Sequence, residues 1–427
     1  MDKIVMSNLD EVIYHETLEN GLNIYVYKKK DFSKKGAYFV TNYGSSTNEF
    51  KPIGEDKITS FPKGIAHFLE HTLFESEDNE KVFEKFKKYG ANVNAYTNHI
   101  MTNYYFSTVN NFYECLEELI DFVQKPYFTD QNVEKEKDII NQEINMSDDD
   151  INGYMFEEMF DLTLNKNPNK YKTIGDKENV SKITKEDLYR CYKTFYNPSN
   201  MILVAYGDID EKKTITLIKD NQSKKKFDKV NEIKIKKYDE DAKVNKEYKE
   251  TKRNVSKPRV SVCYKLKVPM LTGEERLKKL LFIELLLDMK FGSANPFEKN
   301  LIKEKIVETG ISWTYSYFDD VILIFVQGDT TKKDMLIKKI DDKIKECKFD
   351  KELFELDRKV LKTNLVKTFE NPSWVASMIY NNVIKNKKIV NNVYDIYENY
   401  KFDYFLKEFK NINFDNKSIL YVTKKEN

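Results

Sequence analysis

A charge-dense stretch at residues 222–252 divides this chain of 427 residues. It is crowded with Lys, Asp and Glu and poor in large apolar side chains, so it offers no face to a core and reads as a linker. The length also exceeds what one core of ordinary size can organise. The expectation is a first domain over residues 1–221, a linker over 222–252 and a second domain over 253–427.

Within the first segment the periodicity changes in blocks. TLENGLNIYVYKKK and GAYFVTNYGSS alternate apolar and polar residues around the Asn20-Gly21 turn signal and read as strands. From Gly64 the apolar residues Ile65, Phe68, Leu69 and Leu73 recur at helical spacing, which predicts a helix over 64–75. A second helix is expected over 79–89, then two strands in NVNAYTNHIMTNYYFSTV that meet near Asn98. Further helices are expected from Phe112 to Val123, from an N-cap at Asp130 to Met146, near 153–164, and after the capping pattern Thr184 to Asp187. The strand MILVAYGDI completes a succession of strands, helices and strands, the order of an α+β domain. In the second segment RVSVCYKLKV, a helix over 274–290, the β-rich ISWTYSYFDDVILIFVQGD and helices to the end run in a similar order. A duplicated architecture is expected, without a residue-level repeat.

Charge excludes some functions. Lys plus Arg number 71 and Asp plus Glu 70, so no excess of one sign favours nucleic acid or an anionic membrane as partner. The N-terminal residues lack an apolar run of signal-peptide length. The most apolar run, LLFIELLLDM at 280–289, carries Glu284 and is too short for a bilayer. A cytoplasmic protein is expected. Cys115, Cys191, Cys263 and Cys347 form no CxxC pair, which argues against a thiolate zinc site and a disulfide framework.

The stretch GIAHFLEHTLFE at 64–75 carries two of the chain's four histidines. On a helix, positions four apart are offset by about 40°, so His67 and His71 project side by side and can share one divalent ion. Glu70 lies on the same side, placed to touch a water beside that ion. This H-x-x-E-H order supplies the same parts as the commoner H-E-x-x-H zinc motif. Bound zinc brings its water's pKa near neutrality, and Glu70 is expected to take the proton as general base. A catalytic zinc needs a third protein ligand and an open position. No cysteine sits near a histidine in sequence, so a carboxylate or another His should supply it. Glu136 and Glu143 lie two helical turns apart on one face, with Glu143 the candidate ligand and Glu136 behind it; His99, in an expected turn, is the rival.

These residues resemble the pitrilysin (insulinase) family of zinc metallopeptidases. The resemblance rests on LENGL at 18–22, GIAHFLEH at 64–71, GANVNAYT at 90–97, PYFT at 126–129, EKDIINQEI at 136–144 and FYNPSNMILVAYGDI at 195–209, which appear in the family's order and spacing. The length is similar to that of the short-chain bacterial branch, akin to mitochondrial processing peptidases, in which two subunits together form the enzyme. The resemblance implies two related α+β domains, each a mainly antiparallel sheet with helices packed on it. It implies one zinc ion per chain held by His67, His71 and Glu143, with Glu70 as general base and Glu136 as a supporting acid. It also implies an edge strand around Asn94 and Ala95 that takes a peptide substrate as an added strand.

One departure stands out. Family members with a complete site carry an Arg followed by a Tyr in the later domain, in contact with the substrate carbonyl, but NLIKEKIVETGISWTYSYFDD contains no Arg. Tyr315 and Tyr317 are the candidate tyrosines, and Lys303 stands near the arginine position. The expected partner is therefore a related, zinc-free subunit in a heterodimer, with a homodimer as the alternative. The competing reading is a non-catalytic subunit that holds peptides or supports assembly.

Overall fold

A computed structural model describes residues 1–77, 81–228, 230 and 232–425. The alternating N-terminal segments form β1 (Asp2–Met6), β2 (Glu11–Thr17), β3 (Asn23–Lys28) and β4 (Lys35–Thr41), followed by the short pair β5 (Glu49–Phe50) and β6 (Thr59–Ser60). Then come α1 (Ile65–Thr72), α2 (Val82–Lys88), β7 (Asn92–Thr97), β8 (Thr102–Thr108), α3 (Phe112–Val123), α4 (Asp130–Asp149) and α5 (Ile151–Thr163). The helices α6 (Lys177–Ser181) and α7 (Lys185–Phe195), the strand β9 (Met201–Gly207) and the helix α8 (Glu211–Ser223) complete the first half. The expected start of the second helix, at residues 79 and 80, lies outside the described residues. The second half runs β10 (Tyr248–Arg253), β11 (Arg259–Lys267), α9 (Gly273–Phe291), α10 (Phe297–Lys303), β12 (Ile311–Phe318), β13 (Val321–Asp329) and α11 (Lys333–Lys345). It ends with α12 (Lys351–Thr368), α13 (Pro372–Asn386), α14 (Val393–Asn399), α15 (Phe402–Lys410) and β14 (Lys417–Lys424). No helix among the described residues is long and apolar enough to cross a membrane.

The first large sheet has the order β1-β2-β3-β9-β4-β8-β7 and the second β10-β14-β11-β13-β12. In the first, β9 runs parallel to β3 and antiparallel to β4, and β4, β8 and β7 follow as antiparallel neighbours. In the second, β14 runs parallel to β10 and antiparallel to β11, and β11, β13 and β12 follow in the same way. Five strands of each sheet therefore share one topology, in which the last strand in sequence inserts between the first two. This is the duplicated, mainly antiparallel α+β architecture expected above. Chain order favours neighbours in space, so the insertion of the last strand between the first two is not expected from succession alone. All seven residues of β9 are buried, as a strand covered on both faces is. The strand β14 corrects the expectation of helices to the end: SILYVTK is too short a run to distinguish from a buried helical turn by pattern alone.

The chain's two compact units are interleaved, and this corrects the simple succession of domains. One comprises Met1–Met146, Tyr171–Lys237 and Val366–Asn391; the other comprises Ser147–Lys170, Tyr238–Leu365 and Asn392–Asn427. The reason is packing. Tyr154, Met155, Met159, Phe160 and Leu162 of α5 join Cys263, Leu323, Phe325 and Leu420 in the core of the second sheet. Conversely, Tyr380 of α13 packs against Tyr38 of β4 and bonds the Tyr96 hydroxyl at 2.9 Å, within the first unit. Helical periodicity reports that a face is apolar but not which sheet will cover it.

The charged stretch 222–252 is divided between the units rather than free. Lys51 and Lys236 donate backbone N–H groups to the carbonyls of Lys234 and Glu49, and residues 248–253 form β10. In the second unit Glu240 is buried against Lys265 of β11, with Nζ 2.6 Å from its carboxylate and both side chains sealed from solvent. The same carboxylate accepts the backbone N–H groups of Asn165, Lys166 and Asn167 at 2.7, 2.7 and 2.6 Å. Burial pushes this carboxyl up, but the three N–H groups and the Lys265 ammonium outweigh it and hold the group down at about 2. Its folded pKa is depressed, so its stabilisation is present above the ordinary value of 4.5 and is lost as pH falls from there toward about 2. The variant Lys265→Met, which leaves the carboxylate buried without its cation, is expected to destabilise the second unit by about 3–5 kcal/mol in denaturant unfolding.

Candidate metal centre

The helix α1 begins at Gly64, whose φ of +86° lies in the left-handed region. A Cβ there would collide with the carbonyl oxygen of Ile174, so only glycine can both turn the chain and let the two backbones meet. From that start Ile65, Phe68, Leu69 and Leu73 are buried, as the helical spacing predicted. The same rotation brings His67 and His71 side by side, with ring centroids 4.6 Å apart.

The second helix of the site is α4. Burial of Val133, Ile140 and Ile144 seats it and turns Glu136 and Glu143 toward α1. Glu143 Oε1 lies 3.6 Å from His67 Nε2, and its Oε2 lies 3.6 Å from His71 Nε2. These separations are too long for hydrogen bonds. They are close to the edge of about 3.3 Å that a tetrahedral ion with bonds near 2.0–2.1 Å requires between its ligand atoms. Among the described residues, His67, His71 and Glu143 form the one His/Cys/Asp/Glu group whose donor atoms lie within 4.8 Å of one another. His99 is outside it, at the β7–β8 turn. Two imidazoles and a carboxylate are a donor set that suits zinc.

The two imidazoles differ in their protonation. Burial, with the neighbouring His71, pushes His67 down to about 3, so its ring is neutral, and its buried Nδ1 has no hydrogen-bond partner. Burial also lowers His71, but the hydrogen bond to Glu136 and the charges of Glu70, Glu136 and Glu143 prevail and hold it above its ordinary value. His71 Nδ1 donates to Glu136 Oε1 at 2.8 Å, which leaves Nε2 as the nitrogen with a free lone pair. Glu136 itself is buried.

Glu70 is 6% exposed, on the buried side of α1. Burial raises its carboxyl above the ordinary range, while the Thr97 hydroxyl, donating to Oε2 at 2.6 Å, opposes the rise. Thr97 ends the stretch GANVNAYT, and its pairing with a residue of α1 has no signal in the local sequence. Asn94 and Ala95 lie on β7, the outer strand of the first sheet, whose described partner is β8. The side-chain Oδ1 of Asn94 accepts the backbone N–H of Ala95 at 2.8 Å.

Tyr315 and Tyr317 lie on β12, the outer strand of the second sheet. The Tyr315 hydroxyl donates to Glu284 at 2.8 Å. The ring of Tyr317 carries the guanidinium carbon of Arg276 at 4.0 Å. No arginine occurs beside these tyrosines in sequence, yet one reaches Tyr317 from α9.

Comparison with known proteins agrees with this geometry. Residues 59–177 match the family model described as Insulinase (Peptidase family M16), and residues 182–361 match Peptidase M16 inactive domain. His67, Glu70, His71, Glu136 and Glu143 all fall in the first match. The chain is 39% identical over 376 residues to the uncharacterized zinc protease YmfH of Bacillus subtilis, covering 88% of each. It is 25% identical over 205 residues to the mitochondrial-processing peptidase subunit beta of Neurospora crassa, covering 47% of this chain and 41% of that one. An M16-like peptidase from Alicyclobacillus acidocaldarius superposes with a TM-score of 0.92 at 29% identity, over 99% of this chain and 100% of that one. Pitrilysin shares the fold, with a TM-score of 0.72 at 17% identity over all of this chain and 46% of its own. The chain belongs to the insulinase, or M16, family of peptidases.

Proposed function

We propose that the chain is a zinc-dependent endopeptidase subunit that hydrolyses peptides or flexible segments. The observation that carries this reading is the convergence of His67, His71 and Glu143 at ligand spacing, beside the carboxylate of Glu70. In it, the two imidazoles and Glu143 hold one zinc ion, and Glu136 orients His71 through Nδ1. When bound, the zinc lowers the pKa of a coordinated water and polarises the substrate carbonyl. Glu70 accepts the proton of the attacking water and delivers it to the leaving amine. The outer strand β7 lines up an extended substrate by main-chain pairing near Asn94 and Ala95. That mode tolerates many side chains and suits unstructured peptides.

In this reading a related, zinc-free chain is the partner, a second copy of this chain being the alternative, and the complex is cytoplasmic. Support for the partner comes from the absence of arginine over residues 300–320, where family members with a complete site carry it. Tyr315 and Tyr317 remain candidate contacts to a peptide carbonyl, supported by their place on an outer strand. Zinc content, hydrolysis of an unstructured peptide and mass in solution test the proposal together. Full-rate cleavage by metal-free protein would overturn the zinc reading, and full-rate cleavage by a monomer would overturn the partner. The variant Glu136→Gln is expected to weaken zinc binding about 10–100-fold in a competition titration, because His71 loses its anionic orienting partner.

A further inference from the structure

The side chain of Thr97 points from the end of β7 to Glu70 rather than to solvent. Its hydroxyl donates to Glu70 Oε2 at 2.6 Å and lies 3.1 Å from the hydroxyl of Thr102, its register partner on β8. Thr102 is fully buried, and its hydroxyl donates to the carbonyl of Tyr43 at 2.9 Å. We infer that Thr97 is a positioning residue for Glu70 and that it fixes the carboxylate orientation used in proton transfer. The inference rests on Glu70 acting as general base.

Three features support it. Threonine is branched at Cβ and stiff at χ1, so on a paired strand its hydroxyl has a defined direction. The bond is short and its acceptor is a carboxylate, which makes it one of the stronger side-chain hydrogen bonds available to a neutral donor. Thr97 also lies on the same strand as Asn94 and Ala95, so the segment assigned to substrate alignment carries the group that orients the base. Displacement of a reacting group by about 1 Å can cost about 100-fold in rate.

The test compares Thr97→Val, which keeps shape and removes the hydroxyl, with Thr97→Ser, which keeps the hydroxyl and frees χ1. Crystal structures of the metal-free proteins are expected to show Glu70 in one rotamer in the parent chain and in Thr97→Ser, and turned or split in Thr97→Val. An unchanged Glu70 rotamer in Thr97→Val overturns the inference, whether or not the chain hydrolyses peptides. On an unstructured peptide, kcat of Thr97→Val should fall about 10–100-fold with KM and zinc content near those of the parent, and Thr97→Ser should recover most of it. Equal kcat in Thr97→Val and the parent, or a Thr97→Ser variant no better than Thr97→Val, also overturns it. A parent chain with no hydrolysis at all defeats the peptidase reading instead, and the crystallographic comparison still decides what Thr97 does.

Discussion

Glu70→Gln is expected to lower peptide hydrolysis by about 1,000-fold or more while zinc stays near one per chain. The substitution keeps the size of the side chain and an oxygen that can accept the Thr97 hydroxyl, so the packing of α1 against β7 should survive. It removes the ability to take a proton. General-base groups contribute about 100–10,000-fold in typical cases, and Glu70 is nearly buried, where bulk water substitutes poorly for it. Inductively coupled plasma measurement of zinc and steady-state kinetics on an unstructured peptide check the two halves of this result. Retained hydrolysis in Glu70→Gln would dismiss the assignment of this residue as base. Loss of zinc along with hydrolysis would instead make Glu70 part of the metal's own support.

Metal removal should have the other large effect, on activity and stability together. Dialysis against a chelator is expected to abolish hydrolysis, and added zinc to restore it. Because α1 and α4 supply the candidate ligands, the ion would tie two helices of the first unit. Binding confined to the folded state stabilises it by about 4 kcal/mol when free zinc is a thousandfold above its dissociation constant. Calorimetry should therefore show the unfolding of the first unit moving to lower temperature without metal. His71→Ala should reproduce the chelated state and resist rescue by zinc. A melting profile indifferent to zinc and chelator would refute a shared site for His67, His71 and Glu143.

Some of this was open to inspection along the chain. His67, Glu70 and His71 share one short helix, so their relation follows from local periodicity and one residue's worth of chemistry at each position. The strand hairpin over 92–108, the cap at Thr184 and the helix from Asp130 are local in the same sense: turn residues and capping side chains act within a few positions. Glu143 carries a weaker signal: its helix and its spacing from Glu136 are legible, but carboxylates on helices usually face solvent, so its approach to the histidines is not.

What the chain could not disclose is longer in range. A one-dimensional pattern records that α5 and α13 have apolar faces, and only packing settles that each joins the sheet on the other side of the sequence divide. The count of charges over 222–252 says nothing of Lys265, which lies on a strand and neutralises Glu240 out of water. Thr97 and Arg276 belong to the same class, for their partners come from separate elements. Residue order by itself determined most of the elements, the histidine pair and its glutamate, because those depend on forces acting within a few turns of backbone. Tertiary structure alone decided the division into units, the approach of Glu143 to the histidines and the bond from Thr97 to Glu70, because those depend on which distant surfaces exclude water from one another.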